Sequence, residues 1–202
     1  MPIFFQQQIN EFTRLGIWKI EENETFFQSN VPQHRAVTHP HKRLQHLAGR
    51  YLLQYLFPGF PYDMVQIADT KRPFLPNEAF HFSISHCGDY AAAIVSTKYR
   101  VGVDVEIPAD KVAAIKEKFL SPDELQLLPN QQDINWLTIC WSAKESVFKW
   151  YGNGKVDFKQ HIQFNKLQVD TNSIDCFFTK NNTPLHIQYH QFEKLVLSWV
   201  VN

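Results

Sequence analysis

An α+β fold in two similar halves is what this sequence predicts, and the prediction rests on two observations. One long amphipathic helical pattern falls in each half of the 202 residues, and several short strand-like runs accompany each. No low-complexity tract or flexible linker separates them, and seven glycines leave little loose chain. The repeat is inferred from the order of elements. It sets two α+β subdomains, 1–100 and 101–202.

The first helix is expected from about Lys42 to Phe57. Leu44, Leu47, Ala48, Tyr51, Leu52 and Tyr55 follow the i, i+3, i+4, i+7, i+8, i+11 spacing of one helix face, and Pro58-Gly59 stops it. Strands are expected near Val65–Ala68, His81–Ser85 and Ala91–Ser96, with a turn at Cys87-Gly88-Asp89. In the second half Val101–Glu106 reads as a strand. Ser121-Pro122-Asp123-Glu124 then opens a short helix, with serine as cap and proline in its first turn. A longer helix covers about Ile134–Tyr151 and ends at Gly152-Asn153-Gly154. Four strands close the chain, 161–169, 174–179, 185–189 and 195–201, with Lys180-Asn181-Asn182-Thr183 as a hairpin turn.

Composition bounds the function. Hydrophobic residues make up 44% of the chain, enough for a real core. Formal net charge is zero, so no global field draws the protein to nucleic acid or membrane. Charge is uneven, however. Between Val31 and Pro76 six Lys/Arg face two acids, and His34, His39, His41 and His46 fall in the same stretch. That stretch reads either as a solvated surface or as a cradle for an anionic ligand. Cys87, Cys140 and Cys176 show no zinc or CxxC spacing, which predicts free thiols in a reducing compartment. The N-terminus lacks a basic, apolar leader, and no run approaches a membrane span; a cytoplasmic protein is expected.

Chemistry concentrates in two segments. In the strand Val101-Gly102-Val103-Asp104-Val105-Glu106 the valines point one way, and Gly102, Asp104 and Glu106 the other. Two carboxylates thus sit beside a bare glycine, where a ligand can approach the backbone. The plain alternative is an exposed sheet face. On the second helix Thr138, Ser142, Glu145 and Lys149 form a narrow stripe against a broad apolar face that includes Trp136, Trp141, Val147 and Phe148. The plain alternative there is a surface Glu–Lys pair, but so aromatic a setting implies burial. A groove lined by Glu145 and Lys149, facing Asp104 and Glu106, accounts for both segments. Three carboxylates suit Mg2+, a hard cation, and suit zinc poorly.

These residues resemble a family. Gly102-Val103-Asp104-Val105-Glu106 followed by Trp141-Ser142-Ala143-Lys144-Glu145-Ser146-Val147-Phe148-Lys149 is similar to the paired signature of the 4'-phosphopantetheinyl transferases, surfactin-synthetase-activating type. The separation of 41 residues from Asp104 to Glu145 fits as well. Phe82-Ser83-Ile84-Ser85-His86-Cys87-Gly88, Lys71-Arg72-Pro73 and Leu47-Ala48-Gly49-Arg50 resemble further segments of the family, so the likeness runs from about residue 35 to 165. The resemblance implies pseudo-twofold halves with the active site in the cleft between them. The N-terminal half would contact coenzyme A, and the C-terminal half would hold the metal and catalytic residues. It implies transfer of the phosphopantetheine arm of coenzyme A to a serine of an apo acyl or peptidyl carrier protein, with release of 3',5'-ADP, by a monomer.

Residue by residue, the resemblance implies that Asp104, Glu106 and Glu145 hold Mg2+ and that Lys149 neutralises phosphate charge. Glu145 would also take the serine proton, directly or through a metal-bound water. Ser85 and His86 would meet the 3'-phosphate, and Arg72 the adenine or phosphates. Arg43 is the choice for a further 3'-phosphate contact, with Arg35 and Lys42 as rivals. Arg50 reads as solvent-facing. Lys144 points about 100° from Glu145, toward the groove edge. Lys116, Lys118 and Phe119 would form an apolar, basic patch for an acidic carrier. A metal-dependent nuclease would place acids and lysine similarly, but it wants a sustained basic groove. A non-catalytic coenzyme A or carrier binding module is the other alternative.

Overall fold

The computed structural model describes residues 3–31 and 37–202. His34 and Arg35 therefore lie outside the described residues. The chain divides into two compact units, Met1–Val101 and Gly102–Asn202. Each combines helices with a β-sheet, so the α+β expectation holds.

The first unit begins with a hairpin, β1 (Ile3–Asn10) and β2 (Thr13–Lys19), then a short helix α1 (Glu24–Gln28) and the long helix α2 (Pro40–Leu56). The small ribbon β3 (Gln66–Ile67) and β4 (Pro73–Phe74) follows, and then β5 (His81–Cys87) and β6 (Tyr90–Ser96). The sheet order is β1-β2-β6-β5, antiparallel throughout. Helix α2 starts with proline after the cap His39 and ends before Pro58-Gly59. Its Leu47, Leu52, Leu53 and Leu56 pack on the strand residues Trp18, Phe82, Ala91, Ala93 and Val95. Alternating alanines on β6 keep that sheet face shallow enough for a helix to lie on it.

The second unit opens with β7 (Val101–Glu106), α3 (Lys111–Phe119), α4 (Pro122–Gln126) and α5 (Ile134–Tyr151). A single turn, α6 (Phe158–His161), leads into β8 (Ile162–Gln168), β9 (Ser173–Phe178), β10 (Thr183–Gln191) and β11 (Val196–Val201). The sheet order is β7-β11-β10-β9-β8. Ile174, Cys176 and Phe178 of β9 and Leu185, Ile187 and Tyr189 of β10 alternate onto one face and share a core with Cys140, Ala143 and Val147 of α5. Asp133 caps α5 by accepting from Asn135 N at 2.8 Å, and Gly152 ends it in a left-handed conformation, φ 74°. Cys140 and Cys176 are free and buried, and burial pushes both thiols up to about 12.

Six labelled elements escape the sequence reading: β1, β2, α1, β4, α3 and α6. Strand β1 is an edge whose Gln6, Gln7 and Gln8 supply no apolar alternation. Helix α3 is too short to establish a helical period. Among the described residues no helix is long and apolar enough to cross a membrane.

Candidate active site

Helix α5 and strand β7 run along each other in opposite directions, and the residues between them explain the spacing of the two motifs. At one end stands Gly102. A Cβ there would lie 2.0 Å from Ser146 O and 2.7 Å from Trp150 N. The space beside this glycine is therefore filled by the helix backbone, not left for a ligand, which corrects the sequence expectation. Only glycine lets the strand come this close to α5. Two residues on, Asp104 accepts a 2.6 Å hydrogen bond from Lys149 Nζ. At the far end Trp141 Nε1 donates to Glu106 Oε1 at 3.2 Å. Strand positions 102, 104 and 106 thus meet helix positions 146–150, 149 and 141 in turn.

Asp104 is buried, its side chain 5% exposed, whereas Lys149 is 25% exposed and reaches the rim. The stripe expected on α5 divides along its length. Thr138 is buried and donates to Ile134 O at 2.7 Å, and Ser142 is fully buried. Glu145 and Lys149 are half-buried. Burial, followed by the negative charge of Asp104, raises the Glu145 carboxyl from its ordinary 4.5 to about 7. Lys149 works against this rise and Glu106 adds to it.

Trp141 is the residue beside the carboxylates whose hydrogen bond sequence reasoning missed. It reads as one more aromatic on the apolar face, and its ring does pack against Phe119 and Phe158. Its indole N–H nevertheless orients Glu106. Tryptophan is the apolar side chain that carries such a donor, and that was the available signal.

Lys144 lies elsewhere than expected. It is fully buried and donates to Glu124 Oε1 at 2.6 Å, Ile162 O at 2.8 Å and Phe158 O at 2.9 Å, so it does not border the groove. Phe119 is likewise core, 1% exposed, while Lys118 is exposed and half-buried Lys116 donates to Gln131 O at 3.3 Å.

The first unit holds the residues expected to grip an anionic ligand. Ser85 is buried and His86 exposed on β5, paired with Ala92 and Ala91 of β6. The turn after them is tied to α2: Gln45 Nε2 donates to Gly88 O at 2.7 Å, and His41 Nε2 lies 3.1 Å from the same oxygen. The β5–β6 turn is thus fixed against the first turns of α2, which carry exposed Lys42. Arg72 sits at the tip of the β3–β4 ribbon, where Lys71 takes a left-handed φ of 64°. Burial and the nearby charge of Arg100 lower its pKa, and the same two arginines, after burial, help depress His81.

Arg43 is engaged already. Its Nε and Nη2 donate to the two oxygens of Glu24 at 2.7 and 2.9 Å, and its Nη1 to Val37 O and Thr38 O at 2.9 and 3.2 Å. A phosphate would have to displace that carboxylate. Arg50, expected in solvent, is 2% exposed. Its Nε donates to His46 Nε2 at 3.0 Å because α2 turns this position inward.

An oxygen-only donor set fits a hard divalent ion. Burial first, and the charges of Asp104 and Glu106 after it, raise Glu145, and a cation would relieve the repulsive part. Among the described residues no three His, Cys, Asp or Glu side chains converge on one point. The closed three-carboxylate site expected from the sequence is therefore not formed in this structure.

Comparison with known proteins places this arrangement. A family profile described as the 4'-phosphopantetheinyl transferase superfamily matches residues 100–200, the span that contains both β7 and α5. Enterobactin synthase component D of Escherichia coli O157:H7 is 31% identical over 166 residues, 78% of this chain and 76% of that protein. A putative 4'-phosphopantetheinyl transferase of Haemophilus influenzae is 30% identical over 137 residues, 64% of this chain and 58% of its own. The 4'-phosphopantetheinyl transferase psf-1 of Bacillus pumilus is 37% identical over 79 residues, 38% of this chain and 34% of its own. The chain belongs to the 4'-phosphopantetheinyl transferase superfamily. It is an enzyme of that class, moving a 4'-phosphopantetheine group from coenzyme A to carrier proteins.

Proposed function

We propose that this transferase is Mg2+-dependent, acts on a serine hydroxyl of an apo acyl or peptidyl carrier protein, releases 3',5'-ADP, and is of the surfactin-synthetase-activating type. The observation that carries the reading is the elevated Glu145 carboxyl beside Asp104 and Glu106, answered by Lys149. Bound by oxygens of Asp104, Glu106 and Glu145, Mg2+ would neutralise charge on the pyrophosphate.

The chain's own side chains carry the remaining roles. Lys149, at the rim of the carboxylates, offers positive charge to the phosphate undergoing transfer. As the serine oxygen bonds to the phosphorus that bears the pantetheine arm, the bond to the leaving 3',5'-ADP oxygen breaks. The serine proton passes to Glu145, directly or through a water. Burial and Asp104 raise this carboxyl to about 7 in the metal-free protein, and Mg2+ bound beside it would bring it back down, leaving it ionised and able to accept the proton at neutral pH. Trp141 holds Glu106 in place. In the first unit Ser85, His86 and Arg72 are the proposed contacts to the coenzyme A phosphates and adenine. Arg43 joins them by exchanging Glu24 for the 3'-phosphate, and Lys42 is its neighbour on the same turn.

The carrier is proposed to dock against the basic end of α3 at Lys116 and Lys118, without Phe119. The protein is proposed to act as a cytoplasmic monomer. The test is intact-mass spectrometry of apo acyl and peptidyl carrier proteins incubated with the enzyme, coenzyme A and Mg2+, beside an EDTA control. A gain of one phosphopantetheine mass that EDTA abolishes supports the reading. The same gain in EDTA removes the metal from it.

A further inference from the structure

The motif lysine next to the proposed base has no path to substrate, and its surroundings suggest what it does instead. Lys144 is fully buried, and its three N–H bonds are all taken, by Glu124 Oε1 and the carbonyls of Phe158 and Ile162. Its Nζ also lies 4.7 Å from the centre of the Phe164 ring. Glu124 is equally committed: Oε1 accepts a second bond from Phe164 N at 2.9 Å, and Oε2 accepts from Ser121 N at 2.7 Å. One ion pair thereby joins α4, α5, α6 and β8. A buried pair is seldom the best way to gain stability, since apolar side chains of similar volume often serve as well. Geometry is what this pair adds, because acceptors from three separate segments define a single position for the ammonium.

Successive helical residues lie 100° apart, and i and i+4 share a face. Fixing Lys144 inside the second unit therefore fixes the direction of Glu145 beside it and of Lys149 one turn on. We propose that Glu124 and Lys144 are positioning residues, a lock that sets the rotation of α5 so that Glu145 and Lys149 face Asp104 and Glu106 of β7. This rests on the roles proposed above for Glu145 and Lys149.

The test compares wild type with Lys144→Met, Glu124→Gln and the two combined. Four quantities are measured: the denaturant midpoint, kcat, KM for coenzyme A and the Mg2+ concentration giving half-maximal rate. An NMR arm follows the Trp141 indole N–H resonance, assigned with Trp141→Phe, because that proton reports how α5 sits on β7. The lock predicts that the double variant recovers a midpoint near wild type. Its kcat should nevertheless fall about tenfold to a hundredfold, its Mg2+ requirement and its KM for coenzyme A rise, and the indole resonance shift. A folded double variant with wild-type kcat and an unmoved indole resonance overturns the lock. If the double variant does not fold, Glu124→Gln alone, which keeps the shape, carries the same readouts. A wild-type protein that transfers nothing refutes the Mg2+-dependent reading instead, and the indole resonance still decides the lock.

Discussion

Lys149 Nζ donates to Asp104 Oδ1 at 2.6 Å, and this contact joins the two motifs of the sequence at the point where Asp104 is buried and Lys149 emerges. A charge-assisted bond of this kind contributes about 1.5–3 kcal/mol, and a bond of similar strength from this ammonium to an incoming phosphate would be lost with the lysine. Lys149→Gln is expected to raise KM for coenzyme A at least about tenfold, on that scale of energy, while leaving the fold intact. Steady-state kinetics with circular dichroism checks both halves. An unchanged KM and kcat would remove Lys149 from the site.

Gly102 is a packing requirement. A Cβ at 2.0 Å from one helix backbone atom and 2.7 Å from another cannot be relieved by moving a side chain. Gly102→Ala is expected to cost about 3 kcal/mol or more, at the upper end of overpacking penalties. A denaturant midpoint within error of wild type would mean that α5 and β7 do not pack as described.

Glu24 blocks the guanidinium of Arg43, and the block can be removed. Glu24→Gln is expected to lower KM for coenzyme A several-fold and to leave KM for dephospho-coenzyme A unchanged, since only the former carries the 3'-phosphate that would replace the carboxylate. The ratio of the two constants is the measurement. No change in that ratio excludes Arg43 as a phosphate contact.

Glu145 carries a pH signature in the metal-free protein. Its folded pKa of about 7 lies above the ordinary 4.5, so the stability it contributes is complete below 4.5 and is lost as pH rises through 7. At about 1.36 kcal/mol per unit the loss reaches about 3 kcal/mol. Glu145→Gln does not titrate. In EDTA at pH 8 it is expected to be more stable than wild type by up to that amount, with the gap closing at pH 4 and narrowing when Mg2+ is added to wild type. Equal denaturant midpoints at both pH values would contradict the burial and charge described for this carboxyl.

Much of this was legible in the sequence, for identifiable reasons. Helix α5 announces itself by a long apolar period between an aspartate cap and a glycine stop, and its observed bounds match the expected Ile134–Tyr151. The strand alternation of β7 likewise places Asp104 and Glu106 on one face. What escaped was tertiary. A glycine beside two acids reads equally as an opening for ligand or as room for a helix, and only the position of α5 decides. Lys144 and Glu145 are adjacent charges in the sequence. Their opposite fates depend on Glu124, twenty residues before Lys144, whose visible role was in the first turn of a short helix capped by Ser121. Arg43 reads as a free cation because Glu24 belongs to a five-residue helix that no periodicity reveals.

The most direct test of the central claim is the transfer rate of Glu145→Gln, measured with Mg2+, coenzyme A and an apo carrier protein on samples shown to be folded. The substitution removes the proposed proton acceptor and one oxygen of the metal site while preserving shape. The expected result is a fall in kcat on the order of 10²–10⁴ with the fold retained. A folded variant turning over near the wild-type rate would contradict the role assigned to Glu145.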